Sequence, residues 1–395
     1  MKSQFIFTSE SVTDGHPDKL CDQISDAIVD EFLRQDPLAR IVSECAVARG
    51  VIFIAARFAA TAAVDIPEVA RSLVRQAGYE DADFNAHSCS VLTQLSESHI
   101  DETTRRDERD LSDEELDLFV AKDQVTVFGY ACRQTAAYMP LPIWLAHKLA
   151  RRLSAVRLQN ILACLGPDGK TQVGIEYANR IPRRIHSITL VTSQREGQAL
   201  EPAKLKDALY EEVLEPVFRD ESLRPDRDTK LFVNPDGAYL GGPSYHAGLT
   251  GRKTAVDSYG EFSRHSGAAL SGKDPLRIDR IGAYAARHVA KNVIAAELAD
   301  ECEIQLSYTI GLPEPVSVNV ETFGTGRIGD DEIATRIERV FDLRPGAIMR
   351  DLRLRRLPAE VKQGFYRRLA VYGHVGRMDM GLPWETTGDA GALRT

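Results

Sequence analysis

Strand-like and helix-like hydrophobic spacings alternate along the whole of this 395-residue chain, with no low-complexity linker between them. Such alternation restricts the fold to layered α/β (α+β) arrangements, because every strand face and helix stripe needs a partner layer. Leu20, Ile24, Ile28 and Phe32 recur every four residues behind Pro17 and predict a helix to about Arg34 with one apolar stripe. Ile41–Ala48 and Val51–Thr61 read as a hairpin turning at Arg49-Gly50, followed by a helix at Glu68–Gln76 and a strand at Ser88–Leu95. Beyond Val125 the pattern gives a helix at Pro142–Leu153, a hairpin of Gln172–Tyr177 with His186–Thr192, and a helix at Pro202–Val213. From Leu231 it gives a strand, a glycine-rich stretch, a helix at Arg277–Ala296 and a hairpin of Glu303–Ile310 with Val316–Thr322. Each third pairs a helix with strands, which hints at an internal threefold plan. The expected units are 1–103, a charged loop 104–123, 124–230 and 231–395.

The segment Ser96–Lys122 breaks this pattern: it is crowded with charge and poor in core-forming residues. It predicts a mobile loop with one short helix, either a cover for an active site or surface decoration. The formal charge of −9 argues against general nucleic-acid binding, which needs a basic face. No run approaches the roughly 18 apolar residues of a membrane span, and the N-terminus lacks a signal-peptide core. The six cysteines are scattered without a metal-binding spacing, so free thiols in a reducing cytoplasm are expected.

Three motifs carry chemistry. In Phe7–Lys19, Gly15 and Pro17 lead straight into a helix, whose N-terminus suits phosphate. His16 and Lys19 add donors there, and Asp18 adds a carboxylate fit for Mg²⁺, although a capped helix with a solvated Asp and Lys accounts for the same residues. Gly166-Pro-Asp-Gly-Lys170 reads as a turn before a strand, with Asp168 able to meet a ribose hydroxyl and Lys170 a phosphate; a plain surface turn fits equally. The third motif is the most telling: seven glycines lie between Gly241 and Asp274, together with Arg252, Lys253 and Lys273. Glycines let backbone N–H groups approach an anion, and the cations neutralise a polyphosphate.

The stretches FTSESVTDGHPDK, GPDGK, GLTGRK and SGKDP, followed by IDRIGAYAARHVAKN and YGHVGRMDMGLPWE, resemble the signatures of the S-adenosylmethionine synthetase family, in order along nearly the whole chain. The resemblance implies three similar α/β domains around a pseudo-threefold axis, in a homodimer with sites at the subunit interface, often paired into a homotetramer. It implies ATP as substrate, with two Mg²⁺ and K⁺: a methionine sulfur attacks C5′, and the expelled triphosphate is cleaved to diphosphate and phosphate. His16 would then stand near the breaking bond. Asp18 and Asp279 would hold Mg²⁺ and Glu44 K⁺. Asp168 and Lys170 would contact the nucleotide, Arg252, Lys253 and Lys273 would clamp the triphosphate, and Ala269 would lie near the nucleotide. Asp123 falls in the family's Gly-Asp-Gln-Gly motif, and the charged segment before it matches a gating loop.

The chain departs from the family in the amino-acid pocket. Arg57 stands for a glutamate facing the methionine ammonium, and His246 for an aspartate, which reads as two acids lost from one pocket. Ser98 or His99 takes the place of a glutamine, Ala238-Tyr239 replaces an Arg-Phe pair near the adenine, and Arg277 replaces a lysine. Val51, Phe53, Ala55 and Arg57 alternate onto one strand face, where Arg57 needs an anionic partner in a ligand or in the protein. Four activities stay open: a methionine adenosyltransferase, an adenosyltransferase for another acceptor, a non-catalytic regulatory homologue, and a bare triphosphatase.

Overall fold

The structure, a computed structural model, describes residues 4–100 and 105–395. Strand β1 (Gln4–Val12) runs into helix α1 (Pro17–Gln35), and the hairpin β2 (Arg40–Ala48) and β3 (Val51–Ala59) follows. Arg49 turns that hairpin with a positive φ of 49°. Helix α2 (Ile66–Ala77) starts two residues earlier than its apolar spacing predicts, because Asp65 caps it and Pro67 fixes its first turn. Strand β4 (Ser90–Glu97) then lies parallel to β3.

Strand β5 (Val125–Cys132), helix α3 (Leu141–Leu158) and the long hairpin β6 (Leu165–Ala178) with β7 (Ile181–Gln194) come next. Helix α4 (Pro202–Leu209) continues without a break through a π-helical turn at Tyr210–Leu214 to Glu215–Phe218. Strand β8 (Lys230–Val233) and the two-residue β9 (Gly248–Leu249) lead to helix α5 (Ile278–Ala295) and the hairpin β10 (Glu301–Tyr308) with β11 (Ser317–Glu321).

The strands form three sheets, ordered β4-β3-β2-β9, β1-β6-β7-β8 and β11-β10-β5. Helices α1, α3 and α5 each cover one of them, which realises the helix-with-strands plan. Each sheet also takes one edge strand from another third of the chain: β9 closes the first, β1 the second and β5 the third. One apolar core joins α1, α5 and the first and third sheets, and a second lies between α3, α4 and the sheet of β6 and β7.

Two expectations need correction. Gly166–Lys170 is not a turn ahead of a strand: it is the irregular start of β6, where the register against β7 shifts between Leu165 and Gly169. The charged segment is not simply a solvated loop over residues 105–122; residues 101–104 lie outside the described residues. Leu116 and Phe119 are buried, the short helix Glu115–Leu118 is present, and most of the charges are spent on partners. Arg105 pairs with Asp36 at 2.7 Å, Glu108 with Arg355 at 3.0 Å in a buried bridge, Asp117 with Arg344 at 2.8 Å, and Asp107 with Arg356.

All six cysteines are free and buried, and no helix among the described residues is long and apolar enough to cross a membrane.

Candidate active site

The site grows from α1. Its apolar stripe is buried as expected, but so is most of its polar face, because the helix runs between two layers. Asp18, Asp22, Asp26 and Asp30 recur at every fourth position, so they stack along one side of the helix and would repel one another if left alone. Each finds partners in the C-terminal third. Asp18 Oδ1 accepts from Leu249 N at 3.0 Å, and Asp22 Oδ1 from Gly251 N at 2.8 Å. Asp26 Oδ1 accepts from Gly272 N at 2.8 Å and pairs with the buried Arg280. Asp30 accepts from the N–H groups of Tyr366 and Arg367, both at 2.9 Å.

This stripe fixes the two glycine-rich loops, and the loops carry the cations. Ser25 Oγ and Thr250 Oγ1 add a further bond at 2.8 Å. The approach is close enough to require glycine: a Cβ on Gly248 would lie 2.2 Å from the Pro17 carbonyl oxygen. The buried Lys19 ammonium is held by Asp22 at 2.9 Å and by Asp257. Lys19 is thus a structural ion-pair partner, not the phosphate donor the motif suggested.

At the mouth of α1 the pinned loops bring charge of both signs together. Arg252 Nε lies 3.6 Å and Lys253 Nζ 3.9 Å from the Asp18 carboxylate, and Lys253 also faces Glu10 at 3.8 Å. Lys273 Nζ lies 3.3 Å from Asp279 Oδ1. Ala269 packs on the same loop, since a Cβ on Gly251 would come within 2.4 Å of it.

His16 is the N-cap of α1, and its Nδ1 accepts from Asp18 N at 3.2 Å. Burial pushes its imidazole down to about 3; Asp168 opposes this, while Lys253, His246 and Lys170 reinforce it. His16 is therefore neutral at physiological pH. The start of β6 sits directly over this end of the helix, where a Cβ on Gly15 would strike Pro167 at 2.4 Å.

Asp168 is buried, and its Oδ2 accepts three bonds, from Tyr239 Oη at 2.7 Å, Gly242 N at 2.8 Å and His246 Nε2 at 2.7 Å. Burial raises this carboxyl, but the His246 bond, His16 and the Gly242 N–H together outweigh it and hold it below the usual range. Oδ1 is buried with no partner. One ligating atom from each of His16, Asp168 and His246 lies within 4.8 Å of the other two, so the cluster has the make-up of a metal centre. Lys170 is exposed on β6, and Ala238 is exposed beside Tyr239.

A second region lies along β2 and β3. A cavity of about 470 Å³ is lined by Arg57, Ser98, His99, Lys122 and Arg277, with the Asp274 carboxyl between them. His246 is not among its walls. Arg57 and His246 therefore do not share one pocket within this chain: Arg57 pairs in register with Val42, whereas β9, just after His246, pairs with Ala46 and Val47 farther along β2. Asp123 is exposed and caps Gln124 N at 2.9 Å, outside the cavity. Glu44 is exposed on the same sheet face as Arg57, opposite Ala55.

Sequence reasoning missed the anchoring role of the α1 carboxylates and the Tyr239–Asp168–His246 triangle. The fourfold aspartate spacing was a usable signal for the first. The triangle joins side chains more than 70 residues apart and left no local mark.

Fold and site together define a mixed α/β protein of three helix-covered sheets, with carboxylates and cations interleaved at a helix N-terminus. The chain belongs to the S-adenosylmethionine synthetase family. The family's N-terminal domain matches residues 4–99, its central domain residues 119–239 and its C-terminal domain residues 240–386. Similar proteins include the S-adenosylmethionine synthase of Rippkaea orientalis, 47% identical over all of this chain and 97% of its own length. That of Microcystis aeruginosa is 47% identical, covering 100% of this chain and 98% of its own. That of Thermosynechococcus vestitus is 48% identical, covering 97% and 95%.

Proposed function

We propose that the chain is an ATP-dependent adenosyltransferase forming S-adenosylmethionine or a close analogue. The thioether sulfur donates a lone pair to C5′ of ATP, the C5′–O bond breaks, and triphosphate departs with the bonding pair, to be cleaved by water to diphosphate and phosphate. The observation that carries this reading is the set of cations on the two glycine loops, Arg252, Lys253 and Lys273, fixed by α1 before any ligand arrives. Preorganised positive charge is what a polyanionic leaving group needs, and it commonly contributes more to rate enhancement than any other single effect.

In this reading Arg252, Lys253 and Lys273 clamp the triphosphate, with Lys170 at its edge. The neutral His16 donates a hydrogen bond near the breaking bond, since a neutral ring keeps one N–H. The free Oδ1 of Asp168 takes a ribose hydroxyl, with Tyr239, Ala238 and Ala269 around the nucleoside. Asp18 and Asp279 are buried carboxylates facing cations, a donor set that suits Mg²⁺, and they would hold it. Bound Mg²⁺ would neutralise developing charge on the phosphates. Glu44 offers one exposed carboxylate, so a K⁺ site there would draw its other ligands from elsewhere, and no step is assigned to it.

A homodimer fits the first sheet. Leu249, Phe53 and Leu92 form a row through Ala46 across its outer face, each about half exposed. Apolar rows of this kind mark association surfaces. A tetramer would pair two such dimers. The free buried thiols suit the cytoplasm. The charged segment, docked by its ion pairs beside the cavity, would act as its cover.

Mass spectrometry of reactions with ATP, Mg²⁺, K⁺ and methionine tests the proposal. An adenosyl adduct with diphosphate and phosphate is expected; phosphate without an adduct, or no product with any thioether, would overturn it.

A further inference from the structure

The cavity beside Lys273 has an imbalance of charge that bears on which acceptor it takes. Arg57, Lys122 and Arg277 line it together with Arg40 and Arg106, and among the described residues its one carboxylate is that of Asp274. Both Asp274 oxygens are already engaged, Oδ2 by Ile41 N and Oδ1 by Leu276 N, each at 2.7 Å. The described wall therefore offers no free acid to an ammonium. It offers at least three cations to carboxylates, without counting Arg40 and Arg106, which have other interactions. Glu44, the diagonal neighbour of Arg57 on the same sheet face, is not part of that wall.

Between these charges the wall is apolar, with Phe58, Leu118, Phe119, Val120 and Leu276 suited to a thioether arm. The cavity adjoins the clamp: Val42, in its wall, bridges to Lys273, and Asp274 follows Lys273 in the chain. A sulfur held there lies beside the loop that carries the cation proposed to receive the leaving group.

Resting on the adenosyltransferase reading, we infer that the cavity selects a thioether carboxylic acid whose α-nitrogen is absent or acylated, in preference to one bearing a free ammonium. Arg57 is the specificity-determining residue. An ammonium placed in the cavity meets like charge with no free acid among the described residues to offset it, whereas a carboxylate, or a second acidic or carbonyl group, meets donors. The chemistry is unchanged: the S–C5′ bond forms, the C5′–O bond breaks, and no proton moves.

The test uses full-length protein with Mg²⁺ and an ATP analogue in which CH₂ replaces the 5′-oxygen, so that the bond to C5′ cannot break. Isothermal titration compares 2-hydroxy-4-(methylthio)butanoate and N-acetylmethionine with methionine. At least one of the first two is expected to bind ten times more tightly than methionine, and Arg57→Glu is expected to reverse that order. Should Arg57→Glu not fold, Arg57→Ala, at an exposed side chain, is expected to bring the ratio close to one. Methionine binding as tightly as both acids, or a ratio unmoved by either variant, overturns the inference. Parallel reactions with ATP separate the two ideas: acids that bind as expected but give no adenosyl adduct would sink the reaction and leave the selectivity standing.

Discussion

His246 Nε2 stands 2.7 Å from Asp168 Oδ2, and the Tyr239 hydroxyl meets the same oxygen at the same distance. All three donors around this carboxylate converge on Oδ2, while Oδ1 stays buried and open. An amide at this position loses the charge that three donors share. Asp168→Asn is expected to weaken binding of an ATP analogue at least tenfold and to lower stability by about 2 kcal/mol, the scale of hydrogen bonds to a charged group. His246→Ala, which leaves two donors in place, should change the affinity less than threefold. Titration calorimetry and thermal unfolding check both; unchanged ATP affinity in Asp168→Asn would remove the carboxylate from the nucleotide site.

Lys273 has one ion-pair partner among the described residues, Asp279, and a mostly covered side chain. Lys273→Met keeps nearly the same length without the charge. Turnover is expected to fall by about 10²-fold or more, the size of effect seen when one preorganised donor to a developing negative charge is removed. The unfolding midpoint should move little. Near-normal turnover would mean that the triphosphate lies elsewhere.

His16 should remain neutral well below the range in which an exposed histidine titrates. Its folded value is near 3 against 6.5 for a free imidazole, so between those limits the unfolded chain binds the extra proton. The contribution of His16 to stability is therefore complete above about pH 6.5 and is lost as pH falls toward 3. Imidazole ¹⁵N shifts recorded from pH 8 to pH 5 should show no titration at this residue. A midpoint near 6.5 would contradict its burial.

The Asp26–Arg280 pair is fully buried, and Asp26 also holds the Gly272 N–H. Removing either side chain alone strands its partner. Asp26→Ala and Arg280→Ala should each cost about 3–5 kcal/mol in urea unfolding. The double variant should cost less than the sum of the two, because it leaves no orphaned charge.

The legible parts of this molecule were those governed by local physics. The spacing of Leu20, Ile24, Ile28 and Phe32 located α1, and Arg49-Gly50 located its hairpin, since periodicity and turn chemistry act over a few residues. The same stripe misled about the other face of α1. Whether a polar helix face meets water or another layer depends on what arrives from the C-terminal third, and Gly251, Gly272 and Tyr366 are far away in sequence. The docked state of residues 105–122 was hidden for a like reason: Arg344, Arg355 and Arg356, which neutralise their acids, lie more than 200 residues on. At the site, the cations of GLTGRK and SGKDP were readable as motif residues. The separation of His246 from Arg57 was not, because it follows from the register along β2.

The borrowed edge strands have a consequence for how the chain is made. As the polypeptide leaves the ribosome, β2 presents a bare edge from the moment its hairpin forms, and that edge is covered when Gly248–Leu249 and then Gly272–Asp274 arrive. A nascent chain stopped between these points would carry an unpaired strand together with the uncompensated carboxylates of α1. The second sheet has all its strands once Val233 is made, the first only at Leu249 and the third only at Glu321, so the layers are sealed late and one after another rather than as each third emerges.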